Sequence, residues 1–193
     1  MTDPTPHLFW ITSRAAGTAG LLLSSFGVCI GLLMGSRIVR RRGVDLRVTH
    51  EAVSLATLLA IAVHGLSLLG DHFLHPSVAD IAIPFASSYK TFWTAAGIVA
   101  GWGLAGLGLS YYARRWIGVQ RWRSLHRFTV AAWALGVIHS LGEGTDAGQT
   151  WFLVMTAIAV VPAAALFLAR VSGLGTSARR ESVPAAASAG GPA

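Results

Sequence analysis

Four histidines sit in two apolar stretches, two to a stretch, at nearly equal spacing. Residues 47–70 read RVTHEAVSLATLLAIAVHGLSLLG and carry His50 and His64; residues 117–140 read IGVQRWRSLHRFTVAAWALGVIHS and carry His126 and His139. A helix rises about 1.5 Å per residue, so separations of 14 and 13 residues become roughly 21 and 20 Å. Two parallel helices marked in this way bring His50 level with His126 and His64 level with His139. Neutral imidazole is an axial ligand for haem iron, and two imidazoles leave no open position on the metal for oxygen. The chemistry expected of such pairs is electron transfer through two haems about 20 Å apart, one near each face of a membrane.

The rest of the chain must therefore supply membrane helices, and its composition agrees. Of 193 residues, 53% are apolar and only 12% are charged, about half the charged share of an ordinary soluble domain. Five apolar runs approach the 20 or so residues that cross a hydrocarbon core. They lie near 9–35, 48–69, 92–112, 124–141 and 150–170, the fourth having Trp122, Arg123 and Arg127 at its mouth. The expected fold is an all-α membrane protein, a five-helix transmembrane bundle. An external segment, 1–8, precedes a haem-binding membrane domain over 9–170. A disordered cytoplasmic tail, 171–193, follows, rich in Ala, Gly, Ser and Pro. The first ten residues hold an acid and no basic cluster, which is not the pattern of a cleaved signal peptide. Cys29 stands alone in an apolar run, which excludes a disulfide framework and a cysteine-based zinc site.

Orientation follows from the basic residues. Arg37, Arg40, Arg41, Arg42 and Arg47 follow the first span, Arg114, Arg115, Arg121, Arg123 and Arg127 follow the third, and Arg170, Arg179 and Arg180 follow the fifth. Only Arg14 and Lys90 remain for the other side. The positive-inside rule then puts the N-terminus outside and the C-terminus in the cytoplasm of a multi-pass protein of the cytoplasmic membrane. The net charge of +7 is a topology signal and not a nucleic-acid surface. Aromatic residues mark both interfaces, with Phe9, Trp10, Phe92, Trp93, Trp151 and Phe152 outside and Tyr111, Tyr112, Trp116 and Trp122 inside. Gly27, Gly31 and Gly35 in the first span, and Gly97 and Gly101 in the third, allow close helix contact or the approach of a flat cofactor.

Haem propionates need cationic partners. Arg47 and Arg123 each precede an inner histidine by three residues, nearly on the same helix face, and Arg127 is a third candidate. Arg14 lies within the first span at about the depth of the outer pair, where a cation needs a partner; Ser140 and Lys90 are possible helpers. One angle does not fit. At about 100° per residue His64 lies about 40° from the face of His50, whereas His139 lies about 140° from that of His126. A distortion between Ala132 and His139, with Gly136 its natural seat, is expected. Pro162 should kink the fifth span. His72 and His75, beside Asp71 and Asp80 in the external loop, are either a solvated turn or ligands for a transition metal.

This pattern resembles the ferric reductase-like transmembrane domain family, which includes the membrane cores of NADPH oxidases. The resemblance runs over about residues 10–170. It rests on the paired histidines and, in support, on WITSRAAGTAGLLLSS, IPFASSYKTFWTAAG and WRSLHRFTVAAWALGVIHSLGEGTD; it is nearest to short actinobacterial-type members. It implies two b-type haems with His50, His64, His126 and His139 as axial ligands. The family commonly has six helices where five are found here, and its full-length members carry a cytoplasmic FAD and NAD(P)H domain, for which the two dozen low-complexity residues after the fifth span leave no room. The expected donor is therefore a separate flavoprotein reductase or a membrane quinol, and the acceptor a ferric ion, oxygen or a periplasmic redox protein. The chain would be an oxidoreductase component without its own flavin domain. Two other readings stay open: a haem-free protein that binds or transports a metal through the same histidines, and a structural subunit of a membrane redox complex.

Overall fold

A computed structural model describes residues 7–36 and 45–172. Arg37, Arg40, Arg41 and Arg42, Arg179 and Arg180, nearly all of the 171–193 tail and most of the 1–8 segment lie outside the described residues. The described chain is helical throughout, in the order α1 (Leu8–Ser36), α2 (Leu46–Leu68), α3 (Val78–Ala82), α4 (Thr91–Leu109), α5 (Arg114–Ile117), α6 (Val119–His126), α7 (Thr129–Glu143) and α8 (Thr150–Val171). Four of these, α1, α2, α4 and α8, are long and apolar enough to cross a membrane. They mark a multi-pass membrane protein. Leu55, Leu59 and Leu66 on α2, and Val154, Ile158, Val161 and Leu168 on α8, are exposed at helical spacing. Such faces suit a hydrocarbon solvent. Pro162 lies inside α8, which runs on through it as one helix.

The expected span 124–141 is divided. Helix α6 ends at His126 and α7 begins at Thr129. Between them the Phe128 N–H donates to the Leu125 carbonyl at 3.0 Å, the three-residue closure of a 3₁₀ turn. The distortion thus falls at Arg127–Phe128, directly after the first histidine, and not between Ala132 and His139, where α7 is continuous. Its cause lies in α6, whose exposed Gln120, Arg121, Arg123 and Ser124 suit an interface rather than a bilayer interior. The tighter turn changes the bearing of His139 relative to His126. Alone, the 15 residues of α7 rise about 22 Å, short of the roughly 30 Å of a hydrocarbon core.

Helix α1 is the hub, packing on α2, α7 and α8; α4 packs on α7 and, less extensively, on α2. Helices α1, α2, α4 and α7 therefore close a ring in which α2 and α7 stand at opposite corners without extended backbone contact. Small residues bring the neighbours close. Ala95, Ala96 and Ala100 of α4 and Ala132 of α7 are buried, and the Gly103 position faces the Ala132 methyl group. Buried Trp133 donates its indole N–H to the Ser25 hydroxyl at 3.0 Å and ties α7 to α1. Asp45 caps α2 through the Arg47 N–H. Lys90 donates to the Gly142 and Glu143 carbonyls at 3.0 and 3.3 Å, a cation on the last turn of α7.

Candidate functional site

The ring of four helices is stacked in layers, and histidines occupy the two end layers. In the one that the arginine count assigns to the outer side, His64 of α2 faces His139 of α7, with ring centroids 6.1 Å apart and planes at 70°. In the inner layer His50 faces His126 at 6.3 Å and 87°. Pairing by depth is therefore present in the structure. Between the layers Ile61 lies against Gly20 of α1 and Gly101 of α4, and Ala100 lies against Gly136. Trp133 sits between His126 and His139 in sequence and is buried.

Each ring except His126 is seated on a glycine of the neighbouring helix. A Cβ on Gly17 would meet the His64 ring at 2.9 Å, one on Gly31 the His50 ring at 3.3 Å, and one on Gly97 the His139 ring at 2.5 Å. Gly17 and Gly31 are 14 residues apart on α1, the spacing of His50 and His64 on α2. Two antiparallel helices thus carry matched rows, one of imidazoles and one of gaps. His126 instead stacks on Trp122, four residues before it, with centroids 5.0 Å apart at 27°. Trp122 in turn meets Tyr111, over which Arg114 lies. Beside this cluster the Tyr112 hydroxyl donates to Glu51 at 2.7 Å, a bond that pushes the phenol above its ordinary pKa.

The ring nitrogens are sorted by their partners. Nδ1 of His64 lies 2.8 Å from the Ser13 carbonyl, Nδ1 of His139 2.9 Å from the Trp93 carbonyl, and Nδ1 of His126 3.3 Å from the Leu107 carbonyl. A carbonyl only accepts, so these Nδ1 atoms carry the hydrogen and Nε2 keeps its lone pair. A backbone acceptor on one nitrogen is the usual partner of a histidine whose other nitrogen binds a metal. Ser13 holds His64 further: its hydroxyl donates to the His64 carbonyl at 3.0 Å. The buried Nδ1 of His50 makes no hydrogen bond of ordinary geometry, and its looser backbone partner is Gly27 of α1.

These distances fit an iron between the rings. A metal–nitrogen bond of about 2.0 Å plus a ring radius of about 1.15 Å, taken twice, puts two ligand centroids about 6.3 Å apart. Among the described residues no group of three or more His, Cys, Asp or Glu side chains is placed to hold a metal. Two imidazoles alone make a weak protein site, but they complete a haem, whose ring supplies the other four ligands.

The arginines divide. Arg47, Arg123 and Arg127 are exposed at the inner end. Arg14 pairs with Asp146 through Nε and Nη2, and its guanidinium lies over Trp10. It leaves Nη1 for another partner. Ser140 bonds back to the Gly136 carbonyl within α7. Asp146 is nearly buried, so Arg14→Ala should leave a carboxylate without its cation and destabilise the fold. Because Arg14 is itself partly exposed, the expected cost is about 1–3 kcal/mol, read as a lowered Tm in detergent, with Arg14→Lys intermediate.

Residue chemistry alone missed Ser13, Gly17, Trp122 and the acid that answers Arg14. The 14-residue interval from Gly17 to Gly31 was the available signal for one of them. Compared with family models, curated proteins and solved structures, the chain matches none.

Proposed function

We propose that this chain is a di-haem b electron-transfer protein of the ferric reductase-like type, with His50 and His126 holding an inner haem and His64 and His139 an outer one. The observation that carries this reading is the pair of ring separations, 6.3 and 6.1 Å, at two depths of one apolar bundle. When bound, each haem supplies a one-electron couple at an iron closed to substrate. The chain's own residues orient the rings and fix the tautomers of His64, His126 and His139. Helices α6 and α7 together form a fifth crossing, with the N-terminus outside and the C-terminus in the cytoplasm, because the arginines of α5 and α6 gather at the inner end.

Arg47, Arg123 and Arg127 would pair with the inner propionates, and Nη1 of Arg14 with an outer one. A quinol or a separate flavoprotein loads the inner site. The outer site delivers to a ferric ion, oxygen or a redox protein outside the cytoplasmic membrane. The haem-free metal reading is weaker, because among the described residues each pair lacks a third protein ligand, and an apolar bundle, unlike an exposed loop, does not offer water to fill a metal's remaining positions.

The test is conduction. The haem-loaded chain is reconstituted in vesicles that enclose ferricyanide, and dithionite is added outside. The entrapped oxidant should bleach at a rate proportional to protein, and the His64→Ala chain should bleach it at least tenfold more slowly. Bleaching no faster than in protein-free vesicles contradicts the proposal.

A further inference from the structure

A third histidine pair lies outside the bundle. Asp71, at the end of the turn that follows α2, is buried, and its carboxylate accepts the N–H groups of Phe73 at 3.5 Å and Leu74 at 3.1 Å. The His75 N–H donates to the Asp71 carbonyl at 3.2 Å. The chain is thereby curled into one tight turn that puts His75 at a φ of +44°, a left-handed conformation that a residue with a Cβ adopts only when its surroundings impose it. The result is that the rings of His72 and His75 stand 6.0 Å apart, with planes at 70°. Both side chains are exposed.

That separation is nearly the one found in the two buried pairs, and it matches a metal bridging two imidazole nitrogens at about 2.0 Å each. What else the turn offers decides which metal. The Asp71 carboxylate is occupied by the backbone. One oxygen of the Asp80 carboxylate is taken by Ser77, whose N–H and hydroxyl reach it at 2.8 and 2.7 Å and hold its pKa below the ordinary carboxylate value. Among the described residues neither carboxylate joins the two rings as a third ligand, so the site is one of imidazole nitrogen and does not suit a hard ion such as calcium, magnesium or ferric iron. Two imidazoles, with the remaining positions open to water, favour copper over the other divalent first-row ions.

We propose that His72 and His75 form a copper-binding site on the loop between α2 and α3, at the same end of the molecule as the outer histidine pair. The site stands on the turn alone and does not depend on whether the bundle holds haem.

The test is a cupric titration of the full chain in detergent, followed by electron paramagnetic resonance and by competition with a weak chelator. The parent chain should bind one more copper than the His72→Ala/His75→Ala double variant, with a spectrum split by imidazole nitrogen. Each single variant should bind it at least tenfold more weakly. Because both side chains are exposed, the double variant should retain the parent's helix content. Asp71→Ala, which keeps both imidazoles but loses the carboxylate that shapes the turn, should also weaken binding. Equal copper stoichiometry and affinity in the parent and the double variant would overturn the proposal. So would displacement of the copper by an equal concentration of zinc. Haem content, read from the visible spectrum of the same samples, reports on the bundle separately.

Discussion

Replacing His64 with alanine should halve the haem content of the purified chain and leave the inner haem's spectrum unchanged. The two pairs are separated by about four helical turns, roughly 21 Å, and share no ligand. Ile61, Gly20 and Gly101 fill the layer between them, so the loss of one imidazole has no direct route to the other site. Within the outer layer the substitution removes the Nδ1 bond to Ser13 and the face opposite His139. The remaining histidine cannot close a two-imidazole site alone, and the helix itself does not depend on the ring. His126→Ala should do the converse, leaving the outer haem in place. Loss of both haems from either variant, or of neither, contradicts pairing by depth. The measurement is haem per chain together with the position and width of the reduced α band.

Gly97→Leu should empty the outer site as completely as loss of the histidine. A Cβ at that position would fall 2.5 Å from the His139 ring, closer than any carbon contact permits, and the rest of the leucine would occupy the volume that the ring needs. The Nδ1 bond to the Trp93 carbonyl, four residues earlier on α4, holds the ring over that glycine and leaves it nowhere to retreat. Gly106→Leu is the control on the same helix, because nothing lies within 4 Å of its Cβ position. Both substitutions replace glycine by a good helix former and alter intrinsic propensity equally, by about 1 kcal/mol in favour of the helix. A difference between them in haem content reports the seat of His139 and not helix stability. Equal content in the two variants would show that Gly97 is not part of the site.

Much of this architecture was legible in the residues, for a physical reason. Apolar runs and the types and spacing of the four histidines are properties of single helices, and α1, α2, α4 and α8 fall close to the predicted spans. What lay between helices was less legible. Arg14 needed a partner, but its partner, Asp146, is 132 residues away in a loop. No local pattern connects them. The place of the helix break was misjudged because Gly136 is the residue with the greatest backbone freedom near His139, whereas the turn forms at Arg127–Phe128, where the polar surface of α6 gives way to the apolar surface of α7. Gly17 stands outside the four-residue glycine row from 27 to 35, so no short-range pattern marks it. Its meaning emerges only when α1 is laid antiparallel to α2 and Gly31 falls on His50.

The most direct test of haem binding by the two histidine pairs is the visible absorption spectrum of the purified full chain, oxidised and reduced, with haem counted per chain. Two b-type haems are expected, both low-spin in either state, as closure of each iron by two imidazoles would require. A chain without haem, or one whose haem is high-spin with an open position, would contradict it.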